Sequence, residues 1–159
     1  MKAEQTIANL IKATIHRAIR ESIAGVLVVL AFAYFLQQAS PGTARYYGCL
    51  LILVSTPFVL GVIWSHTLSY RLLRTHSASD SAFWQEAFSA QARLLRSVPL
   101  WYLAPLCSGM LLVFVSDAHG NFTFVATNVL VVAALFGGIT WLNRAAAAKI
   151  EESAATLTA

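Results

Sequence analysis

Charge is what this chain has least of. Asp, Glu, Lys and Arg make up 11% of its 159 residues, against an apolar share of 58%, whereas soluble domains carry roughly 25% charged residues. So small a polar complement cannot cover a water-soluble domain of this length. It equally excludes a disordered chain, which is polar and highly charged. Cysteine is limited to Cys49 and Cys107, with no Cys-x-x-Cys spacing, so no disulfide framework or thiolate metal centre is expected. They sit at different depths of two apolar stretches and read as small packing residues. No Gly-x-Ser-x-Gly, phosphate-binding loop or dinucleotide fingerprint occurs.

What is present is long apolar sequence. A bilayer-crossing helix needs about 20 mostly apolar residues, and four stretches meet or approach that: residues 22–39, 46–68, 97–115 and 122–142, none containing Asp, Glu, Lys or Arg. The expected fold is all-α, a single polytopic membrane domain of four transmembrane helices arranged as two hairpins. Each hairpin is preceded by an amphipathic helix, residues 3–21 and 80–96, and a polar tail follows at 143–159. Gln37-Gln38-Ala39 lacks a small residue at the first position of a cleavage site, so the first span reads as a retained signal anchor. Ser40-Pro41-Gly42 and Gly120-Asn121 mark the tight outer turns.

The positive charges are sorted. Lys2, Lys12, Arg17 and Arg20 precede the first span, Arg71, Arg74, Arg93 and Arg96 lie between the second and third, and Arg144 and Lys149 follow the fourth, leaving Arg45 alone of 11 on the opposite side. By the positive-inside rule both termini are expected in the cytoplasm, with the chain in a bacterial inner membrane. The net charge of +4 reflects this asymmetry and implies contact with anionic lipid headgroups. No basic patch is interleaved with stacking aromatics, so nucleic acid is not an expected partner. Tyr46, Tyr47, Trp64, Tyr70, Trp101, Tyr102 and Trp141 fall near span ends, as an aromatic belt would.

The two amphipathic stretches are the features open to a partner. Ile7, Leu10, Ile11, Ile15, Ala18 and Ile19 recur at helical spacing, with Lys12, His16 and Arg20 on the other side. In the second stretch Phe83, Trp84, Ala87, Phe88, Leu94, Leu95 and Val98 form an apolar stripe broken by Gln91, and Ser79 or Asp80 can cap its start. Such helices lie in the headgroup plane or dock a partner. The partner contact is expected at Trp84, Phe88, Leu94 and Leu95, with Arg93 and Arg96 on its rim. The order of surface helix, span, short loop, span and Arg occurs twice, as in a tandem duplication.

Inside the spans, Gly61/Ser65, Ala104/Ser108, Ala133/Gly137 and Ala134/Gly138 are small pairs that let helices approach. Asn128 is the most polar deep side chain and is expected to hydrogen-bond to a neighbouring helix. Pro57 and Pro105 each remove a helical hydrogen bond. Asp117 and His119 share an outer loop where a metal could touch, although no metal-site spacing supports one. No cofactor is expected.

His16-Arg17-Ala18-Ile19-Arg20-Glu21-Ser22 leads directly into an apolar span, and Phe83-Trp84-Gln85-Glu86 is followed by Gln91-Ala92-Arg93-Leu94-Leu95-Arg96-Ser97-Val98 and by Trp101-Tyr102-Leu103-Ala104-Pro105. Over residues 16–115 this resembles a group of small four-span bacterial inner-membrane proteins encoded near extracytoplasmic-function sigma factors. Leu100 and Cys107-Ser108-Gly109 depart from that group's pattern. The resemblance implies a sigma factor as a candidate partner and carries no catalytic residues.

The function these observations point to is non-enzymatic: an integral membrane accessory or regulatory protein that binds a soluble partner or a larger membrane complex through its amphipathic helices. A small oligomeric transporter or channel subunit is the alternative, with Asn128, Ser55, Thr56 and the mid-span prolines along its path. Transport usually requires an ionisable group in the membrane, and the nearest candidate, His66, lies at the cytoplasmic end of the second span. A membrane enzyme using His66 or His76 near the headgroups is a further alternative.

Overall fold

The computed structural model describes residues 2–73, 81–118 and 120–155. Arg74, His76, the Ser79/Asp80 cap and His119 lie outside them. The described residues form five α-helices and no strand: α1 (Lys2–Gln37), α2 (Ala44–Leu73), α3 (Ser81–Val98), α4 (Ala104–Asp117) and α5 (Phe122–Ala155), with a π-helical turn, Pro99–Leu103, joining α3 to α4. Four helical runs are long and apolar enough to cross a membrane: Ile7–Gln37, Ala44–Thr67, Ala82–Asp117 and Phe122–Ala155. This is the arrangement of a multi-pass membrane protein.

The turns follow their residues. Ser40–Thr43 closes on a 3.3 Å bond from the Thr43 amide to the Ser40 carbonyl, with Pro41 second and Gly42 third at φ +86°. A type II turn requires that combination. The Thr43 hydroxyl then accepts from the Tyr46 amide at 3.2 Å and caps α2. Between α4 and α5, Gly120 takes φ +83°, and the Asn121 side chain caps α5 by accepting from the Phe124 amide at 3.1 Å.

The two amphipathic stretches differ from expectation in one respect. No loop separates either from its span. α1 runs unbroken through residues 21 and 22 for 36 residues, roughly 54 Å at 1.5 Å per residue, while a bilayer core takes up about 30 Å. Its first turns continue the axis of the apolar length without a break. The second stretch continues into α4 through the π turn, whose position follows from two prolines. Pro99 and Pro105 both lack an amide hydrogen, so the regular bonding register cannot be held across this segment. The Ala104 amide instead bonds back to the Pro99 carbonyl, the wide spacing of a π-bulge. Among the described residues of the first half there is no counterpart of this turn.

Packing is uneven. α1 packs on α2 and α2 on α4, while α3 packs on α5; α4 and α5, the arms of the expected second hairpin, meet only sparingly. α2 and α4 cross at Gly48 and Gly109. A Cβ on Gly109 would lie 2.5 Å from Ile52, and one on Gly48 would lie 2.7 Å from the Gly109 carbonyl oxygen. Backbones approach this closely only through glycine. The small residues expected to do this are placed differently: Gly61, Gly137 and Gly138 have open space where a Cβ would be. The first half of α5 is largely exposed, with Leu130 at 70% and Leu135 at 60%. A bilayer, or another protein surface, would cover it.

Candidate functional site at the basic end of the helices

Beyond the apolar lengths, the outer turns of α1, α3 and α5 build a small core of their own. Trp84 and Phe88 of α3, 2% and 1% exposed, pack with Ile7 of α1 and Ala154 of α5. A second cluster joins Ala92 and Leu95 of α3 to Ala147, with Ile150 against it. The apolar stripe of α3 is therefore already covered by the chain's own helices. Trp84, Phe88 and Leu95, expected at a partner contact, are internal residues, because α5 continues past its span and lies along the stripe. Leu94 is half-buried beside a small cavity. Arg93 and Arg96 are exposed, and Arg96 pairs with Glu151 of α5 at 2.7 Å.

Where this head meets the spans, polar side chains link the helices. Tyr102 of the π turn donates to Glu21 Oε2 of α1 at 3.1 Å. Trp64 of α2 donates through Nε1 to the Ser22 hydroxyl at 2.8 Å, and that hydroxyl donates to the Ala18 carbonyl at 2.8 Å. Arg17 donates to Asn143 Oδ1 of α5 at 2.9 Å, while the Asn143 amide donates to the Ile139 carbonyl at 2.8 Å. Trp101 donates to the Ser97 hydroxyl at 3.2 Å. Trp64, Trp101 and Tyr102 also pack on the core formed by Ala18, Val59 and Ile63. Trp64, Trp101 and Tyr102 thus form a half-buried layer at this level, joined to the Arg17-to-Ser22 segment, whereas Trp141 is 69% exposed.

A cavity of about 20 Å³ lies under this layer, bordered by Thr14, Arg17, His66, Thr67, Gln91 and Trp101. Gln91, which breaks the α3 stripe, is 5% exposed, and its Oε1 is buried without a hydrogen-bond partner. His66 borders the cavity, but no group of three or more metal-ligating side chains occurs among the described residues.

At the opposite end, Arg45 pairs with Asp117 at 3.3 Å and lies 5.8 Å from the centre of the Phe35 ring. The one positive residue expected there joins α1, α2 and α4. Asn128 does not bridge helices through its amide; it donates to the Phe124 carbonyl of its own helix at 2.8 Å. Ser55 and Thr56 likewise donate to the Leu51 and Ile52 carbonyls, at 2.6 and 2.8 Å. α2 and α5 share little packing, so these three polar residues are not brought together within one copy.

Sequence reasoning did not find Thr14, Asn143 or the Glu21–Tyr102 pair. Asn143 lies in a segment, 143–159, whose composition reads as a polar tail. Its one available signal was position, a single turn beyond the apolar run and level with Arg17 across the helices. No protein-family model, curated protein or solved structure matches the chain.

Proposed function

We propose that this chain is a non-enzymatic accessory or regulatory protein of a bacterial inner membrane, with both termini cytoplasmic. It would work by presenting its helical head to a soluble partner, such as a sigma factor, or to a larger membrane complex. The observation that carries the reading is the head itself. Three helices leave the apolar lengths and close over Trp84 and Phe88, which orders polar faces without leaving an apolar stripe exposed. The contact then falls on what remains outward on α3, Arg93 and Arg96, with Glu86 and Gln85 beside them. Charge on such a rim sets specificity and encounter rate more than raw affinity. The spans support the same reading, since they hold no charged residue for a coupled transport step. Gentle solubilisation followed by affinity purification tests it. A stoichiometric protein partner retained by the parent chain and lost from R93E/R96E supports the reading; no partner, or one indifferent to the double substitution, refutes it.

A second reading, a subunit of an oligomeric transporter or channel, is favoured by one observation. The Ala133/Gly137 and Ala134/Gly138 face of α5 is exposed, with room for closer approach at both glycines. Its test is native mass spectrometry for a multiple of the 17.3 kDa chain, together with solute flux in proteoliposomes.

A further inference from the structure

α1 has two faces. Ile7, Thr14, Ala18 and Gly25 are buried along one of them. On the opposite side Lys12, His16, Arg20, Ile23 and Leu27 are exposed. This outward face carries a groove of about 640 Å³ bordered by Ala13, His16, Arg17, Arg20, Ile23 and Leu27, among others, all of them on α1. A smaller concavity of about 310 Å³ continues it outward past Lys12.

The groove is divided by chemistry. Its outer half holds the cationic Arg17 and Arg20 with His16; its inner half, through Ile23, Ala24 and Leu27, is wholly apolar. The division falls where the uncharged span begins. Arg20 and Arg17 stand about 3 and 7.5 Å of helix rise from residue 22, within the headgroup region that adds about 5–7.5 Å to each side of the hydrocarbon, and His16, about 9 Å out, stands at its outer edge. Glu21 accepts from Tyr102 and its charge offsets part of that on Arg17, so Arg20 carries most of the groove's net positive charge. Arg17 is held in place by Asn143, which fixes one guanidinium of the site in advance. Planar guanidinium groups match a phosphate with paired N–H donors.

We infer that this face of α1 is a binding site for one anionic phospholipid, its phosphate held by Arg17, Arg20 and His16 and its acyl chain lying along Ile23 and Leu27. The cationic groups select the headgroup, and the apolar half selects a lipid over a free phosphate. The inference rests on the membrane reading but not on the existence of a protein partner.

The experiment is native mass spectrometry of the full chain in detergent, supplied with equal phosphatidylglycerol and phosphatidylcholine. Retention of one phosphatidylglycerol in preference to phosphatidylcholine is expected. The R20Q variant should bind it about fivefold more weakly, in line with one positive charge near an anionic surface, while K149Q, at an exposed lysine of α5, should keep the preference. Circular dichroism of R20Q checks that the helices remain. Equal retention of the two lipids overturns the inference, as does an equal loss in R20Q and K149Q, which would mean diffuse attraction without a site. Full displacement of the lipid by inorganic phosphate would show that the acyl half contributes nothing, and would also overturn it.

Discussion

The Tyr102 hydroxyl donates a 3.1 Å hydrogen bond to Glu21, and this contact ties the beginning of the first span to the π turn that begins the third. A hydrogen bond to a charged group contributes about 1.5–3 kcal/mol when buried, and partial exposure of this pair lowers the expected value to about 1 kcal/mol. Y102F and E21Q should each lower the thermal midpoint in detergent, and the double variant should lose less than their sum. Strict additivity would mean that the pair is not coupled.

The crossing of α2 and α4 gives a sharper contrast. A Cβ at Gly109 meets Ile52 and the Gly48 carbonyl, so G109A must push two helices apart. A loss of about 2 kcal/mol or more is expected, as for overpacking elsewhere. G61A and G137A meet nothing and should be neutral or slightly stabilising, by up to about 1 kcal/mol from helix propensity. Equilibrium unfolding in mixed micelles separates the two outcomes.

The head should loosen as a unit. Trp84 fills the contact among α1, α3 and α5, and W84A is expected to cost about 3–5 kcal/mol locally. Hydrogen exchange should rise in α3 and in α5 beyond Asn143, while α2 and α4 stay protected. Exchange that rises equally in all helices would show that the head and the spans are one cooperative unit.

Gln91 offers the opposite sign. Its Oε1 is buried and unpartnered, and an unmet polar atom costs about 1–3 kcal/mol. Q91L should therefore be neutral or raise the thermal midpoint. A marked fall would show that the amide has a binding or structural task in the cavity beside His66.

Much of this architecture is legible in the sequence because bilayer solvation dictates it. Spans declare themselves by length and missing charge, and Pro41-Gly42 declares its turn because only glycine takes that φ cheaply. The continuity of α1 is less visible. The apolar pattern changes near Glu21-Ser22 from one-sided to all-round, which looks like a boundary, yet neither residue breaks a helix. The π turn was hidden differently. Pro99 or Pro105 taken singly predicts only a kink, whereas the register shift spans the segment between the two. The fate of the α3 stripe could not be read locally at all. Whether Trp84 faces a partner or the chain's own α5 depends on how far α5 extends past its span, and Asn143 to Ala155 looks merely polar and alanine-rich in isolation.

Depth along α1 distinguishes an outward-projecting head from helices lying on the membrane. Nitroxide labels placed singly at Lys12, His16, Arg20, Ile23 and Leu27, in a C49A/C107A background in lipid vesicles, report depth from the ratio of oxygen to nickel accessibility. An unbroken helix leaving the bilayer predicts a steady gradient of up to about 1.5 Å per residue, with Lys12 the most aqueous and Leu27 the deepest. A constant depth from Lys12 through Arg20, followed by an abrupt descent at Ile23, would contradict the head and the function proposed for it.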